Sequence, residues 1–153
     1  MIRSVLPTAL TVSDLERSLA FYRDLLGFEL AAELPPGGER ERWDVYHEQV
    51  CRVRGARIRV AYLRAPDGET HLELIEYLAP KAEQGARRPL SEPGTAIVAL
   101  SVSGSAAAVE RLCAAGIEVL SDPVHYRSDD GQESYTTYLY DPDGNALCLF
   151  ELL

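Results

Sequence analysis

The sequence predicts an α+β fold of two tandem βαβββ modules whose half-open sheets face each other as a paired half-barrel cup. Three observations carry that prediction. The segment Ala9-Leu10-Thr11-Val12-Ser13 is echoed at Ala99-Leu100-Ser101-Val102-Ser103, each copy is followed by a helical stretch closed by a glycine, and each half ends in a hairpin through a Pro-Asp-Gly turn. The modules span about 3–80 and about 94–153 and together make a single domain over residues 1–153. A chain of that length buries somewhat more than roughly two-thirds of its unfolded surface, enough for one real core.

Both echoed segments read as strands. In the first half Leu15, Leu19, Phe21, Tyr22, Leu25 and Leu26 then recur at roughly the 3.6-residue helical period, and in the second Val109, Leu112 and Cys113 do. Asp14 or Ser13 suits the first N-cap, because a short polar side chain there accepts a bond from an otherwise orphaned backbone N–H. Gly27 and Gly116 end the helices, and strands leave them at Phe28 to Glu33 and Ile117 to Leu120. The hairpins turn at Ala65-Pro66-Asp67-Gly68 and Asp141-Pro142-Asp143-Gly144, where proline presets φ and glycine supplies a positive one. The first half is longer between Glu39 and Gly55, a stretch with Trp43, Tyr46, His47 and Val50 that reads as a short helix over one rim of the cup or as an irregular loop. Pro35, Pro36, Gly37 and Gly38 form the one concentrated breaker cluster.

Fifteen basic residues against 24 acidic ones leave a formal charge of -9, which repels phosphate backbones and acidic membrane surfaces. Nucleic acid and membrane are therefore not expected partners. The N-terminal residues lack the apolar core of a signal peptide, and no apolar run approaches the ~18 residues that span a bilayer, so a cytoplasmic location is expected. Cys51, Cys113 and Cys148 are odd in number and lack CxxC spacing, which points to free thiols, two or three of them buried.

The stretch VSDLERSLAFYRDLLGFEL, together with LYDPDGNALCLF in the second half, resembles the vicinal oxygen chelate superfamily of glyoxalases, bleomycin resistance proteins and dioxygenases. GARIRVAYLRAPDGETHLELIEY resembles its glyoxalase-like and methylmalonyl-CoA epimerase-like branch. The resemblance implies a divalent ion held by His, Glu, His and Glu, one from the first and one from the last strand of each half. Transferred residue by residue, those places fall on Pro7, Glu73, Ile97 and Cys148, so both histidines and one glutamate are replaced and the metal site is degenerate. The internal repeat supports the transfer by pairing Pro7 with Ile97 and Glu73 with Cys148.

Period-two alternation turns Pro7, Ala9, Thr11, His71, Glu73, Ile75, Tyr77, Ile97, Ala99, Ser101, Ala146, Cys148 and Phe150 toward the cup and Leu10, Val12, Leu72, Leu74, Val98, Leu100, Leu147 and Leu149 toward the helices. A carboxylate at Glu73 in that lining needs a partner, because leaving it ionised and unpaired is costly. His71, about 7 Å along the same strand face, offers an acid/base couple or stands as a rim histidine in water. Cys148 has apolar neighbours and no evident base, which favours packing over reactivity. Arg57 and Arg59 share a strand face and either grip a substrate phosphate or carboxylate or form a solvated surface. Trp43, Tyr77, Tyr138 and Phe150, with Tyr46, Tyr62, Tyr135 and Tyr140, supply aromatic surface for a flat or cationic small molecule.

These observations lead to a metal-independent small-molecule binding protein. Its expected ligand-binding residues are Trp43, Tyr77, Ile97, Tyr138, Cys148 and Phe150, with no metal ligand and no cofactor. The alternative is a lyase, isomerase or epimerase acting on a carbonyl or acyl-CoA substrate, with Glu73 as proton-transfer base and His71 or a tyrosine as its partner. A metal retained through a rearranged site would draw on His71, Glu73 and either His47 or His125. An extradiol dioxygenase is disfavoured, since it needs two histidines and a carboxylate where the second half has Ile97 and Cys148. Open sheet edges, which this superfamily commonly covers by pairing, imply a homodimer.

Overall fold

In a computed structural model describing residues 3, 6–35, 40–66, 68, 71–81 and 87–153, the repeat is written twice into the backbone. Pro36, Gly37 and Gly38 of the breaker cluster and Asp67 of the first turn lie outside the described residues. The chain divides into two compact units, Met1–Gln84 and Gly85–Leu153. The first contains strand β1 (Thr8–Val12), helix α1 (Leu15–Leu19, continuing as a π-helix over Ala20–Leu25), β2 (Glu29–Leu34), α2 (Arg40–Cys51), β3 (Arg57–Arg64) and β4 (His71–Ala79). The second contains β5 (Ile97–Ser101), α3 (Ser105–Ala114), β6 (Val124–Arg127), β7 (Glu133–Tyr140) and β8 (Ala146–Leu152). Each unit builds one four-stranded sheet, and the orders β1-β4-β3-β2 and β5-β8-β7-β6 are equivalent.

Asp14 caps α1, its carboxylate accepting from the Arg17 N–H at 3.0 Å. Leu15, Ser18, Leu19, Phe21 and Tyr22 are buried. The π-turn, closed by Leu26 N–H to the Phe21 carbonyl at 3.0 Å, sets aside the plain 3.6 period and leaves Leu25 and Leu26 half-buried. Leu10, Val12, Leu72 and Leu74 are buried as the alternation requires, with Leu63 and Ala61 beside them on β3.

On the same helix-bearing face lies an ion network centred on Arg59. Its guanidinium meets Glu16 of α1 and Glu33 of β2 at 2.7 Å each, and the buried Glu76 of β4 at 3.7 Å. Glu16 and then Glu33 hold its pKa above the ordinary arginine value. Arg59 is thus engaged within the fold, and the idea that Arg57 and Arg59 grip a substrate anion gives way to a structural role for Arg59.

In the second unit Val109 and Leu112 are buried but Cys113 is exposed, because it falls off the inward stripe of α3. Cys51 is half-buried and Cys148 alone is buried, which corrects the expectation of two or three buried thiols. The strand expected at Ile117 to Leu120 is reduced to a bridge, Val119 to Leu139, and one bond from Leu120 N–H to the Tyr138 carbonyl at 2.8 Å. Pro123 cannot donate to a ladder, so regular pairing resumes only at β6. Buried Thr137 seals the interruption by donating to the Ser121 carbonyl at 2.6 Å.

Helix α3 begins at Gly104, whose φ of 73° suits a residue without a Cβ. A strand carboxylate supplies its cap. Glu151 of β8 accepts from Gly104 N–H at 2.5 Å, Ser105 N–H at 2.8 Å and the Ser105 hydroxyl at 2.7 Å. The Ser105 hydroxyl and then the backbone donors hold its pKa below the ordinary value. A depressed carboxylate pKa adds stability that is complete above the unfolded value of about 4.3 and is lost as pH falls through the folded value. Thermal melts between neutral pH and about pH 3 are expected to show Glu151→Gln less stable at neutrality and converging on the wild type in acid. A constant difference at every pH would remove this carboxylate from the acid response.

Candidate functional site

Strand register decides which side chains share the face opposite α1 in the first unit and α3 in the second. In the first unit Ala9, Glu73 and Tyr62 lie side by side across β1, β4 and β3. In the second, Ala99, Cys148 and Tyr138 do the same across β5, β8 and β7. Repeat-equivalent alanines thus flank Glu73 and Cys148, and a tyrosine stands opposite each.

The first pair is a hydrogen-bonded dyad, the Tyr62 phenol donating to Glu73 Oε1 at 3.1 Å. Burial and then the Glu73 charge raise the Tyr62 pKa above its usual value, so the phenol remains protonated and a donor. Glu73's partner is therefore Tyr62 on the adjacent strand rather than His71, which sits opposite Arg64 at the hairpin end of the sheet. None of the ion pairs among the described residues involves Glu73. In the second unit burial pushes the Cys148 thiol up, a hydrogen bond from Tyr138 opposing it.

The insert of the first half is helix α2, anchored where β3 begins. Arg40 donates to the Ile58 carbonyl at 3.3 Å, and Asp44 accepts from the Ile58 N–H at 3.2 Å. Glu48 accepts from Gly55 N–H at 2.9 Å, fixing the turn that leaves the helix. Asp44, His47 and Cys51 follow helical spacing toward the sheet. His47 Nε2 and Tyr77 Oη are 3.1 Å apart, and the Cys51 thiol donates to the His47 carbonyl at 2.9 Å. Burial and then Cys51 raise the Tyr77 pKa. Trp43 stacks at a tilt on Tyr46, ring centroids 5.7 Å apart. The indole N–H of Trp43 is buried and, among the described residues, has no acceptor.

The structure therefore brings Glu73 and Tyr77 onto one face of the first sheet together with Tyr62, which the sequence named only as aromatic surface, while Trp43 and Tyr46 pair on α2, the helix that reaches this face through His47. Pairing about the hairpin fixes Tyr62 opposite Glu73, but reading it required knowing that β3 ends at Arg64 and β4 begins at His71. In the second unit Ile97, Tyr138, Cys148 and Phe150 share one sheet face, Ile97 and Phe150 exposed and Cys148 buried.

Pro7 and Ile97 offer no side-chain donor atom, which leaves only Glu73 and Cys148 of the four, so these positions do not fit a His, Glu, His, Glu ion site. Among the described residues no group of three or more His, Cys, Asp and Glu side chains could hold a metal ion. The rearranged set is likewise not assembled, since His47 bonds Tyr77 while His125 pairs with Glu133 at 3.3 Å on the edge of the second sheet.

Two sheets of equivalent strand order, each built from a βαβββ repeat, define a class of duplicated α+β proteins. Within it, the chain belongs to the Glyoxalase/Bleomycin resistance protein/Dioxygenase superfamily, whose family model matches residues 4–149. Its structure is similar to a glyoxalase family protein from Bacillus cereus, with a TM-score of 0.82 and 21% identity over 100% of this chain and 96% of the other. An antibiotic-binding protein from Streptomyces sp. CB03234 has a TM-score of 0.63 and 22% identity over 99% and 98%. A lactoylglutathione lyase from Agrobacterium tumefaciens has a TM-score of 0.55 and 22% identity over 97% and 92%. No curated protein sequence matches the chain. Among the described residues no helix is long and apolar enough to cross a membrane.

Proposed function

We propose that this chain is a metal-independent small-molecule binding protein. The observation that carries this reading is the Tyr62–Glu73 dyad: at a position where the family places a metal ligand, the carboxylate is satisfied by a neutral phenol. Pro7 and Ile97 remove two further donors, and the similarity in fold to an antibiotic-binding protein is consistent with sequestration by such a scaffold. The aromatic rings of Trp43, Tyr46, Tyr62 and Tyr77 give a ligand apolar contact area, and Glu73 gives it a directional polar contact.

The dyad also favours a second reading, a lyase, isomerase or epimerase in which Glu73 removes a proton next to a carbonyl. Protein purified without chelator is expected to contain far less than one equivalent of divalent metal. Ligands found by a thermal-shift screen are expected to raise Tm equally with and without EDTA. Stoichiometric metal, or stabilisation abolished by EDTA, would overturn the metal-independent reading. Turnover of a bound ligand that is lost in Glu73→Gln would replace sequestration by catalysis.

A further inference from the structure

We infer that Cys51, where α2 turns into β3, is a covalent modification site that takes up small anionic disulfides as a mixed disulfide. This is independent of the functional reading above and lies apart from Glu73, since Tyr77 beside Cys51 is about 13 Å further along β4. Three features make the site. The first is the thiol itself, half-buried and so within reach of a reagent, unlike the buried Cys148. The second is a route for its proton. The Tyr77 phenol is within hydrogen-bonding reach of Cys51 and 3.1 Å from His47 Nε2, so sulfur, phenol oxygen and imidazole nitrogen form a relay. The third is charge. Arg52, Arg54 and Arg57 are exposed on this one turn, and among the described residues none of them is in an ion pair. Glu48, the carboxylate nearest in sequence, is bound to Gly55 N–H at 2.9 Å instead. In a chain of net charge -9 the turn is a local positive patch, which draws an anionic reagent where the rest of the surface repels one. In the exchange the Cys51 thiolate attacks one sulfur of the disulfide, and the new S–S bond forms as the reagent's own breaks. The displaced thiolate carries away the electron pair, so Cys51 is oxidised and that sulfur reduced with no further oxidant. The thiol proton leaves through Tyr77 to His47 and on to solvent.

The test incubates the full chain separately with anionic dithiodipropionate, neutral dithiodiethanol and cationic cystamine. Peptide mass spectrometry then follows the rate of mixed-disulfide formation at Cys51 and at the exposed Cys113. Cys113 lies on α3, away from the arginine turn, so the ratio of the two rates cancels each reagent's intrinsic reactivity. The expected result is a Cys51 to Cys113 ratio roughly tenfold higher for the anionic than for the neutral reagent, lower still for cystamine, and converging for all three in high salt. Arg54→Gln combined with Arg57→Gln is expected to remove the preference while leaving the rate with the neutral reagent unchanged. Both arginines are exposed, so this variant keeps the test open whatever becomes of the next one. Tyr77→Phe, with folding verified by its thermal melt, is expected to slow Cys51 by a similar factor with all three reagents and to keep the anionic preference. Equal ratios for the three reagents, a preference that survives the arginine substitutions, an undiminished rate in folded Tyr77→Phe, or thiolation of Cys113 without Cys51 each overturns the site.

Discussion

Arg59→Met is expected to destabilise the protein by about 2–4 kcal/mol, because removing one partner of a buried pair leaves an uncompensated charge behind. The charge left behind is Glu76, 7% exposed on the helix-bearing face of the first sheet. The range is set below that for a fully buried pair because Arg59 itself keeps about a quarter of its side chain in solvent. Glu16 and Glu33, both reaching the same guanidinium, would be left as a cluster of like charge with Glu76. Urea denaturation should therefore show a lower midpoint at unchanged slope. Adding Glu76→Leu to Arg59→Met should recover a large part of the loss, since an apolar pair of similar size on that face no longer carries a buried charge. A loss below about 0.5 kcal/mol would show the network to be surface decoration. The consequence reaches the site, because Arg59 and Glu76 occupy the same β3–β4 ladder that sets Tyr62 against Glu73.

That network also shows what a sequence does and does not disclose. Alternation correctly placed Leu72 and Leu74 on one face of β4 and Glu73 on the other, because the period of a strand is local. It could not tell that Arg59 would meet Glu16, 43 positions away, and Glu33, 26 away, since such pairings arise only when α1 lies on the sheet and β2 pairs with β3. The duplication was legible in the echoed strands, and the registers Ala9 to Glu73 and Ala99 to Cys148 agree with the residue pairing read from it. The Tyr62 contact was hidden by loop length. β4 begins after residues 65–70 and β8 after residues 141–145, so the two hairpins differ by one residue and no single offset from the Pro-Asp-Gly turn locates both cross-strand partners. Helix or loop was undecidable for the insert because α2 buries no residue completely, and its seat on Ile58 is polar. The early end of the Ile117 to Leu120 strand was readable in Pro123, a residue that cannot donate to a ladder.

The second turn carries the other large expected effect. Asp141→Ala should cost about 2–4 kcal/mol, because a carboxylate that organises the whole turn would vanish and leave backbone donors without a partner. Asp141 is 1% exposed and accepts from Asp143 N–H at 2.9 Å, Asn145 N–H at 2.8 Å and Asn145 Nδ2 at 2.8 Å. Its own N–H bonds the Asn145 carbonyl at 2.9 Å, and its carbonyl accepts from Gly144 N–H at 3.0 Å. Asp141→Asn retains an acceptor oxygen and should lose about half as much. The first hairpin has Ala65 at the corresponding place, so the side-chain clasp belongs to the second repeat alone. Loss of the clasp should loosen β7 against β8, where Tyr138 faces Cys148. Cys148 is 7% exposed, so its alkylation by a thiol reagent reports that loosening directly. In a Cys113→Ser background, which removes the exposed thiol, Asp141→Ala should accelerate labelling of Cys148 in proportion to the stability lost, while Cys51 in the other unit labels at its original rate. Equal acceleration at both thiols would mean that the two units open together, and the turn would then govern global unfolding rather than the local register of one sheet.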